Sequence, residues 1–207
     1  MKTTPFWIDD YPRPSDLPVA AEMPTETDVA IIGGGYTGVS AARTLAKGGT
    51  SVVVLERETI GWGASSRNAG ITGSSLKAGM TTIFKRYGKE YGLKFWHASL
   101  DMLEIIKELE TKEGIDFDLH QNGELGLAYK ASHVEGMKSR IKWYRDQLGD
   151  EIEWVPPSEL NKGIGSNVFH GGVFDKNGTD LHPSKLVFGL AEVAARHGAL
   201  LFEEAGV

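Results

Sequence analysis

The chain has 207 residues, 41% of them hydrophobic and 24% charged, with a net charge of −6, and no segment gathers Lys and Arg together. That balance describes a globular protein and argues against nucleic acid or an anionic membrane surface as its main partner. There is no cysteine, so disulfides, thiolate metal sites, iron–sulfur clusters and cysteine nucleophiles are excluded as well.

Residues 1–27 hold five of the eight prolines and read as an extended arm, pinned to the body by Phe6, Trp7 and Tyr11. The arm has no apolar core of the kind a secretory signal needs, and no run of 18 apolar residues follows it. The expected compartment is the cytoplasm, with no membrane-spanning segment. "DVAII", 28–32, is a Val/Ile-rich buried strand. Residues 36–47 have helical spacing and small residues, with Gly48-Gly49 as the stop. "SVVVLE", 51–56, is a second buried strand. Residues 28–56 therefore predict a β–turn–α–β unit with parallel strands and a right-handed crossover.

Further along, 88–113 predicts a long amphipathic helix through Leu93, Trp96, Leu100, Leu103, Ile106 and Leu109. "IDFDLHQNGELGLAYK" predicts a hairpin turning at Asn122-Gly123. Residues 131–148 predict a helix, Glu151–Val155 a short strand, Pro157–Leu160 a helical turn and "VFHGGVF" another strand. Pro183 opens a helix that runs to His197 with Gly198 as its stop. A last strand lies near Leu200–Phe202 and extends the first sheet beyond its second strand. The fold class is α/β (α+β overall).

The most informative stretch is Gly33-Gly34-Gly35-Tyr36-Thr37-Gly38, between the first strand and the first helix. Gly33 makes the tight turn, Gly35 lets backbone approach a pyrophosphate, and Gly38 lets helix and sheet pack closely. The helix start then offers amide groups and a positive dipole end to phosphates. Glu56 ends the second strand 23 residues after Gly33, where a carboxylate accepts hydrogen bonds from ribose hydroxyls and repels a 2′-phosphate. Strand, glycines, helix, strand and acid in that order point to a dinucleotide. NAD and FAD both use such a unit. "GWGASSRNAG", 61–70, follows with small residues, hydroxyls and an amide. Ser65 or Ser66 suits the cap of a helix whose amide end also faces the pyrophosphate, and Asn68 and Gly70 suit a flavin edge. A solvated Gly/Ser loop is the alternative reading of that segment.

From residue 27 to 70 the sequence resembles the FAD-dependent amine and amino-acid oxidoreductases, the D-amino-acid oxidase, glycine oxidase and sarcosine oxidase superfamily. The γ-glutamylputrescine oxidase-like members are the most similar. They share the aromatic, proline-bearing arm and a Gly-Trp-Gly-Ala-Ser-x-Arg-Asn-x-Gly signature. "WVPPSEL" and "GGVFDKNGTDLHPSKLVFGLAEVAARHGALLFE" are similar to later family elements. The resemblance implies a Rossmann-like FAD-binding βαβ unit followed by the beginning of a mixed-sheet substrate domain. It divides the chain into the arm (1–27), a first FAD-domain segment (28–78), helices and first strands of a substrate domain (79–174) and a return to the FAD domain (175–207). It implies FAD contacts at Gly33, Gly35, Tyr36, Thr37 and Gly38 for the pyrophosphate, Glu56 for the ribose and Arg57 on the adenine side. Ala64, Ser65, Ser66, Asn68, Ala69 and Gly70 line the path to the isoalloxazine; relatives often carry glycine at position 69.

The implied reaction is hydride transfer from the carbon bearing an unprotonated amine to the flavin, hydrolysis of the imine, and reoxidation by O₂ or another acceptor. The implied substrate is a small amine or amino acid. No side chain is assigned as an acid or base. Family members are roughly twice as long and span two domains of ordinary size. The chain therefore reads as an N-terminal half, whether a fragment, a truncated gene product or part of a split protein, with a missing C-terminal half or self-association as its expected partner. A non-catalytic FAD- or nucleotide-binding subunit and an NAD-dependent dehydrogenase are the alternatives.

Other residues read as structural. His97 and His120 are single histidines on a helix or strand, and His182 enters a helix. "DKNGTD", 175–180, lacks the spacing and final bidentate Glu of a Ca²⁺ loop and reads as a turn, so no metal is expected. Glu90, Asp101, Glu104, Glu108 and Glu110 decorate the solvent faces of a helix. Trp96, Trp143 and Trp154 read as core or interface residues.

Overall fold

A computed structural model describes residues 2–74 and 76–207. Met1 of the expected arm and Ser75 of the expected first FAD-domain segment lie outside the described residues. In chain order the helices are α1 (Phe6–Asp10), α2 (Tyr36–Lys47), α3 (Met80–Thr111), α4 (Val134–Leu148), α5 (Pro157–Ile164) and α6 (Pro183–Arg196). The strands are β1 (Val29–Ile32), β2 (Val52–Leu55), β3 (Ile71–Thr72), β4 (Glu124–Leu127), β5 (Glu153–Val155), β6 (Gly172–Asp175), β7 (Thr179–Asp180) and β8 (Leu200–Phe202). They form two compact units. The first holds the chain up to Gly70 with Lys107–Leu119 and Leu181–Val207; the second holds Ile71–Ile106 and His120–Asp180. The cuts fall at 70/71 and 180/181, against the expected 78/79 and 174/175, and 107–119 belong with the first unit.

In the first unit β1, β2 and β8 make a parallel sheet in the order β1-β2-β8, with Ile31 beside Val54 and Val54 beside Leu201. Hydrophobic burial holds it. Val52, Val53 and Val54 are all buried, as are Val39, Ala42 and Ala46 of α2. Small residues let α2 lie close to β1, and Gly48 ends the helix with its N–H shared among the last carbonyls. α6 buries nine residues, and Pro183 sits in its first turn. The arm is not wholly extended: Phe6–Asp10 forms one short helix. Five residues cannot sustain a helix alone. Trp7 and Tyr11, which stack on the His182 ring at 4.8 and 5.9 Å, hold it in place.

Among the described residues β1 pairs on one side only, with β2. Ala30 and Ile32 face out on the same side of the strand, and Ile32 is 72% exposed. An apolar strand with a free row of N–H and C=O groups templates further pairing. Expressed alone, the 207-residue chain is expected to self-associate. Light scattering coupled to gel filtration over rising concentration checks this, and a monomer at every concentration would contradict it.

In the second unit β4, β6 and β5 form an antiparallel sheet, and β3 pairs with β7. Met80, Ile83, Trp96, Tyr144, Ile152 and Val173 form its core, with Trp143 and Trp154 packed against them. The tryptophans are thus core residues. The long helix and the hairpin differ from the sequence expectation. The helix expected over 88–113 begins at Met80 and is broken at Gly88, whose φ of 79° no helix accommodates. The expected hairpin does not form. Gly123 turns with a φ of 79°, but β4 then pairs with β6 and not with the segment before it. The reason is burial in the first unit, where Ile115 and Phe117 are 5% and 0% exposed, Ile115 lies against Gly189, and the Phe117 carbonyl accepts the His182 N–H at 2.8 Å. "VFHGGVF" supplies only Gly172–Phe174 to β6. Within 175–180 a turn at 176–178 joins the end of β6 to β7, with the Asn177 N–H on Asp175 Oδ1 at 2.9 Å.

Candidate dinucleotide site

The site lies in the first unit, where β1 runs into α2. Gly33 adopts a φ of 101°, a conformation that side chains resist. A Cβ on Gly38 would clash with the Gly33 carbonyl oxygen, and one on Gly35 would come within 2.8 Å of Ser65 Oγ. A helix start leaves its first N–H groups without intrahelical acceptors. One of them is supplied across the chain: Tyr36 N–H donates to Ser65 Oγ at 2.9 Å. Tyr36 itself turns its ring inward, its hydroxyl donates to the Pro183 carbonyl at 3.0 Å, and burial pushes its pKa up to about 12. Only its backbone faces the turn, while Thr37 is exposed in the first helical turn.

Glu56 sits beside the glycines, half-buried. Its Oε2 accepts the Gly34 N–H at 2.6 Å and its Oε1 the Glu58 N–H at 2.9 Å. An ionised carboxylate has about four lone-pair positions, so both oxygens keep acceptor capacity for a hydroxyl. The loop that follows is fixed by Glu203, which the sequence reading missed. Its carboxylate accepts the Ile60 N–H at 2.8 Å and holds Arg13 through two bonds of 2.8 Å. The signal was available, because Glu203 follows β8 as Glu56 follows β2.

The segment 64–70 departs from expectation in one respect. Ala64–Ser66 is a single 3₁₀ turn with no side-chain cap. Ser65 instead caps α2, and Ser66, fully buried, donates to the Gly61 carbonyl at 2.6 Å. The Asn68 amide braces its own loop, donating to the Ala64 and Ser65 carbonyls at 3.1 and 3.0 Å and accepting the Gly70 N–H at 2.8 Å. Ala69 is exposed. Arg57 points into solvent, 3.3 Å from Glu58, with 76% of its side chain exposed. The structure thus brings Gly33, Gly35, Tyr36, Gly38, Glu56 and Ser65 together and leaves Arg57 apart from them. His182 is the buried cap of α6: its Nδ1 accepts the Lys185 N–H at 3.3 Å, and its Nε2 lies 3.3 Å from Asp10 Oδ2.

A parallel βαβ unit whose glycine turn meets an acid at the end of the second strand is the architecture of dinucleotide-binding proteins. Sequence comparison is more specific. The chain belongs to the FAD-dependent oxidoreductase family, whose sequence model (DAO, "FAD dependent oxidoreductase") matches residues 28–207. It is 32% identical over 203 residues to a probable oxidoreductase, OrdL, of Haemophilus influenzae, covering 98% of this chain and 47% of that protein. It is 30% identical over 180 residues to the gamma-glutamylputrescine oxidoreductase of Escherichia coli, covering 87% of this chain and 42% of that protein. The crystal structure of glycine oxidase from Geobacillus kaustophilus superposes with a TM-score of 0.69 at 25% identity, over 86% of this chain and 46% of that one. The chain spans about half the length of the curated relatives it matches. Among the described residues no helix is long and apolar enough to cross a membrane.

Proposed function

We propose that this chain supplies the FAD-binding end of an oxidoreductase acting on an amine or amino acid. One observation carries the reading: Gly38 has no room for a side chain against the Gly33 carbonyl, at a turn that also holds the Glu56 carboxylate. So close an approach presents the amide end of α2 beside a carboxylate, a pairing that suits a pyrophosphate and a ribose in one ligand. In this reading the backbone of Gly33, Gly35, Tyr36, Thr37 and Gly38 meets the pyrophosphate. Glu56 meets the adenosine ribose, with Arg57 on the adenine side. Ala64, Ser65, Ser66, Asn68, Ala69 and Gly70 lead towards the isoalloxazine. The first compact unit is then the FAD-binding part and the second the beginning of the substrate domain.

Two side chains act directly on the ligand. Glu56 accepts from ribose hydroxyls and repels a 2′-phosphate. Ser65 accepts the Tyr36 N–H, and a hydroxyl that accepts still has its own proton to give, so Ser65 Oγ–H is directed to an anionic oxygen. Held by the glycine turn, Glu56 and Ser65, FAD would supply the hydride-accepting chemistry needed to oxidise the carbon bearing the amine. The substrate class is supported by the family and by relatives named for gamma-glutamylputrescine and glycine. Most substrate contacts are assigned to the remainder of a longer protein.

The test is Glu56→Arg. Two charge-assisted hydrogen bonds to the ribose are lost, each worth about 1.5–3 kcal/mol, so FAD affinity falls by at least about a hundredfold in a flavin-fluorescence titration. Glu56→Gln, which keeps one acceptor oxygen, falls between the two. Equal affinity in parent and Glu56→Arg would remove Glu56 from the site.

A further inference from the structure

We propose that Trp7 is a positioning residue for the cofactor loop, and that the N-terminal arm is a clamp on it; this rests on the assignment of 64–70 to the flavin path. The indole Nε1–H of Trp7 donates to the Asn68 carbonyl at 2.8 Å, across 61 positions of sequence. The same ring abuts Gly70: a Cβ there would lie 3.3 Å from Trp7 Cζ2 and would also strike the Leu181 carbonyl. On its other side the ring stacks edge-on with His182 at 4.8 Å. Trp7 thus holds both ends of the Asn68–Gly70 bend.

The bend is wired to the start of α2. Asn68 Nδ2 donates to the Ala64 and Ser65 carbonyls at 3.1 and 3.0 Å. The Ser65 hydroxyl accepts the Tyr36 N–H at 2.9 Å. A continuous path therefore runs from indole to Asn68, from Asn68 to Ser65, and from Ser65 to the first turn of α2, where the pyrophosphate is assigned. Buried Ser66 and the Leu181 N–H on the Gly70 carbonyl at 2.8 Å brace the segment from the body, and Trp7 adds a tie from the arm at the exposed Asn68–Ala69 stretch. The arm that forms the clamp lies ahead of the segment matched by the family's sequence model, which begins at residue 28. Its own anchoring is independent of the loop: Asp10 lies 3.3 Å from His182 Nε2, and Tyr11 packs 6.3 Å from Phe188.

Trp7→Phe keeps an aromatic ring against Gly70 and His182 and removes only the N–H donor. The expected loss of FAD affinity is about fivefold, the weight of one neutral hydrogen bond, with a changed visible circular dichroism of bound flavin. Amide exchange is expected to accelerate over 64–70 and at Tyr36, with β2 unchanged. Trp7→Ala should enlarge each effect. Unchanged exchange over 64–70 in both variants overturns the clamp, as does acceleration spread evenly through β2, which marks a merely structural residue. If the 207-residue chain alone retains no FAD, the functional assignment is tested in the longer protein, and amide exchange without ligand still decides the clamp by the same two patterns.

Discussion

Gly38→Ala is expected to abolish FAD binding and to lower the stability of the first unit by about 3 kcal/mol. Inserting even one methyl into a well-packed site costs about 1–3 kcal/mol where neighbours can shift. Here they cannot easily do so. The new Cβ would clash with the Gly33 carbonyl oxygen, with the Gly33 carbonyl carbon at 3.1 Å and Ile31 Cγ2 at 3.3 Å. Two of those three atoms are backbone. Gly33 is also tied by its N–H to the Leu55 carbonyl at 2.8 Å, so relief requires parting β1 from α2 or from β2. Either movement opens the turn that gathers Glu56 and Ser65. Gly63→Ala is the control: a Cβ there meets nothing within 4 Å, and its φ of −76° is ordinary. Thermal melts and FAD titration of both variants check the prediction. A Gly38→Ala chain that melts with the parent and binds FAD as tightly would refute the cradle.

The second large effect is expected at Glu113, away from the glycine turn. Its Oε1 receives Arg43 and Lys47, each at 2.6 Å, and its Oε2 lies 3.4 Å from His197 Nε2. The side chain is only 7% exposed, so one carboxylate ties α2 and the end of α6 to the 112–119 segment. The hydrogen bond from Lys47, aided by Arg43 and His197 and opposed by burial, lowers its pKa from the ordinary 4.5 to about 2. A carboxyl with a depressed folded-state pKa stabilises fully above its unfolded value and loses that contribution as pH falls through the folded one. The parent should therefore lose stability progressively from about pH 4.5 to about pH 2. Glu113→Gln should lack this acid-dependent loss. At neutral pH it should be less stable by about 3 kcal/mol, because Arg43 is left largely buried without its counter-charge. Urea unfolding at pH 7 and pH 3 measures both. Parallel pH profiles for parent and variant would show that the network contributes nothing.

The local pattern of the first unit was legible residue by residue. Val/Ile runs, small residues at helical spacing, Gly48-Gly49 and Pro183 each act within one element, through propensity, capping or burial of one face. The glycine turn and Glu56 were legible for the same reason, since their geometry is set inside one βαβ unit. The hairpin was not. An Asn-Gly pair favours a reversal, but Ile115 and Phe117 gain more by burial in the first unit, and Phe174 and its neighbours in β6 take the vacated edge of β4.

The sequence by itself determined the βαβ unit, its acid, the absence of cysteine chemistry and the family, because these rest on near-neighbour spacing and on residue type. Only the tertiary structure decided that Ser65 caps α2 and that Trp7 reaches Asn68. Only the fold likewise places Glu203 on the Ile60 amide and Glu113 beside Arg43, Lys47 and His197. Those contacts join residues 29 to 143 positions apart. No periodicity encodes such pairings; they follow from which side chains burial leaves in reach of an unpaired donor or charge.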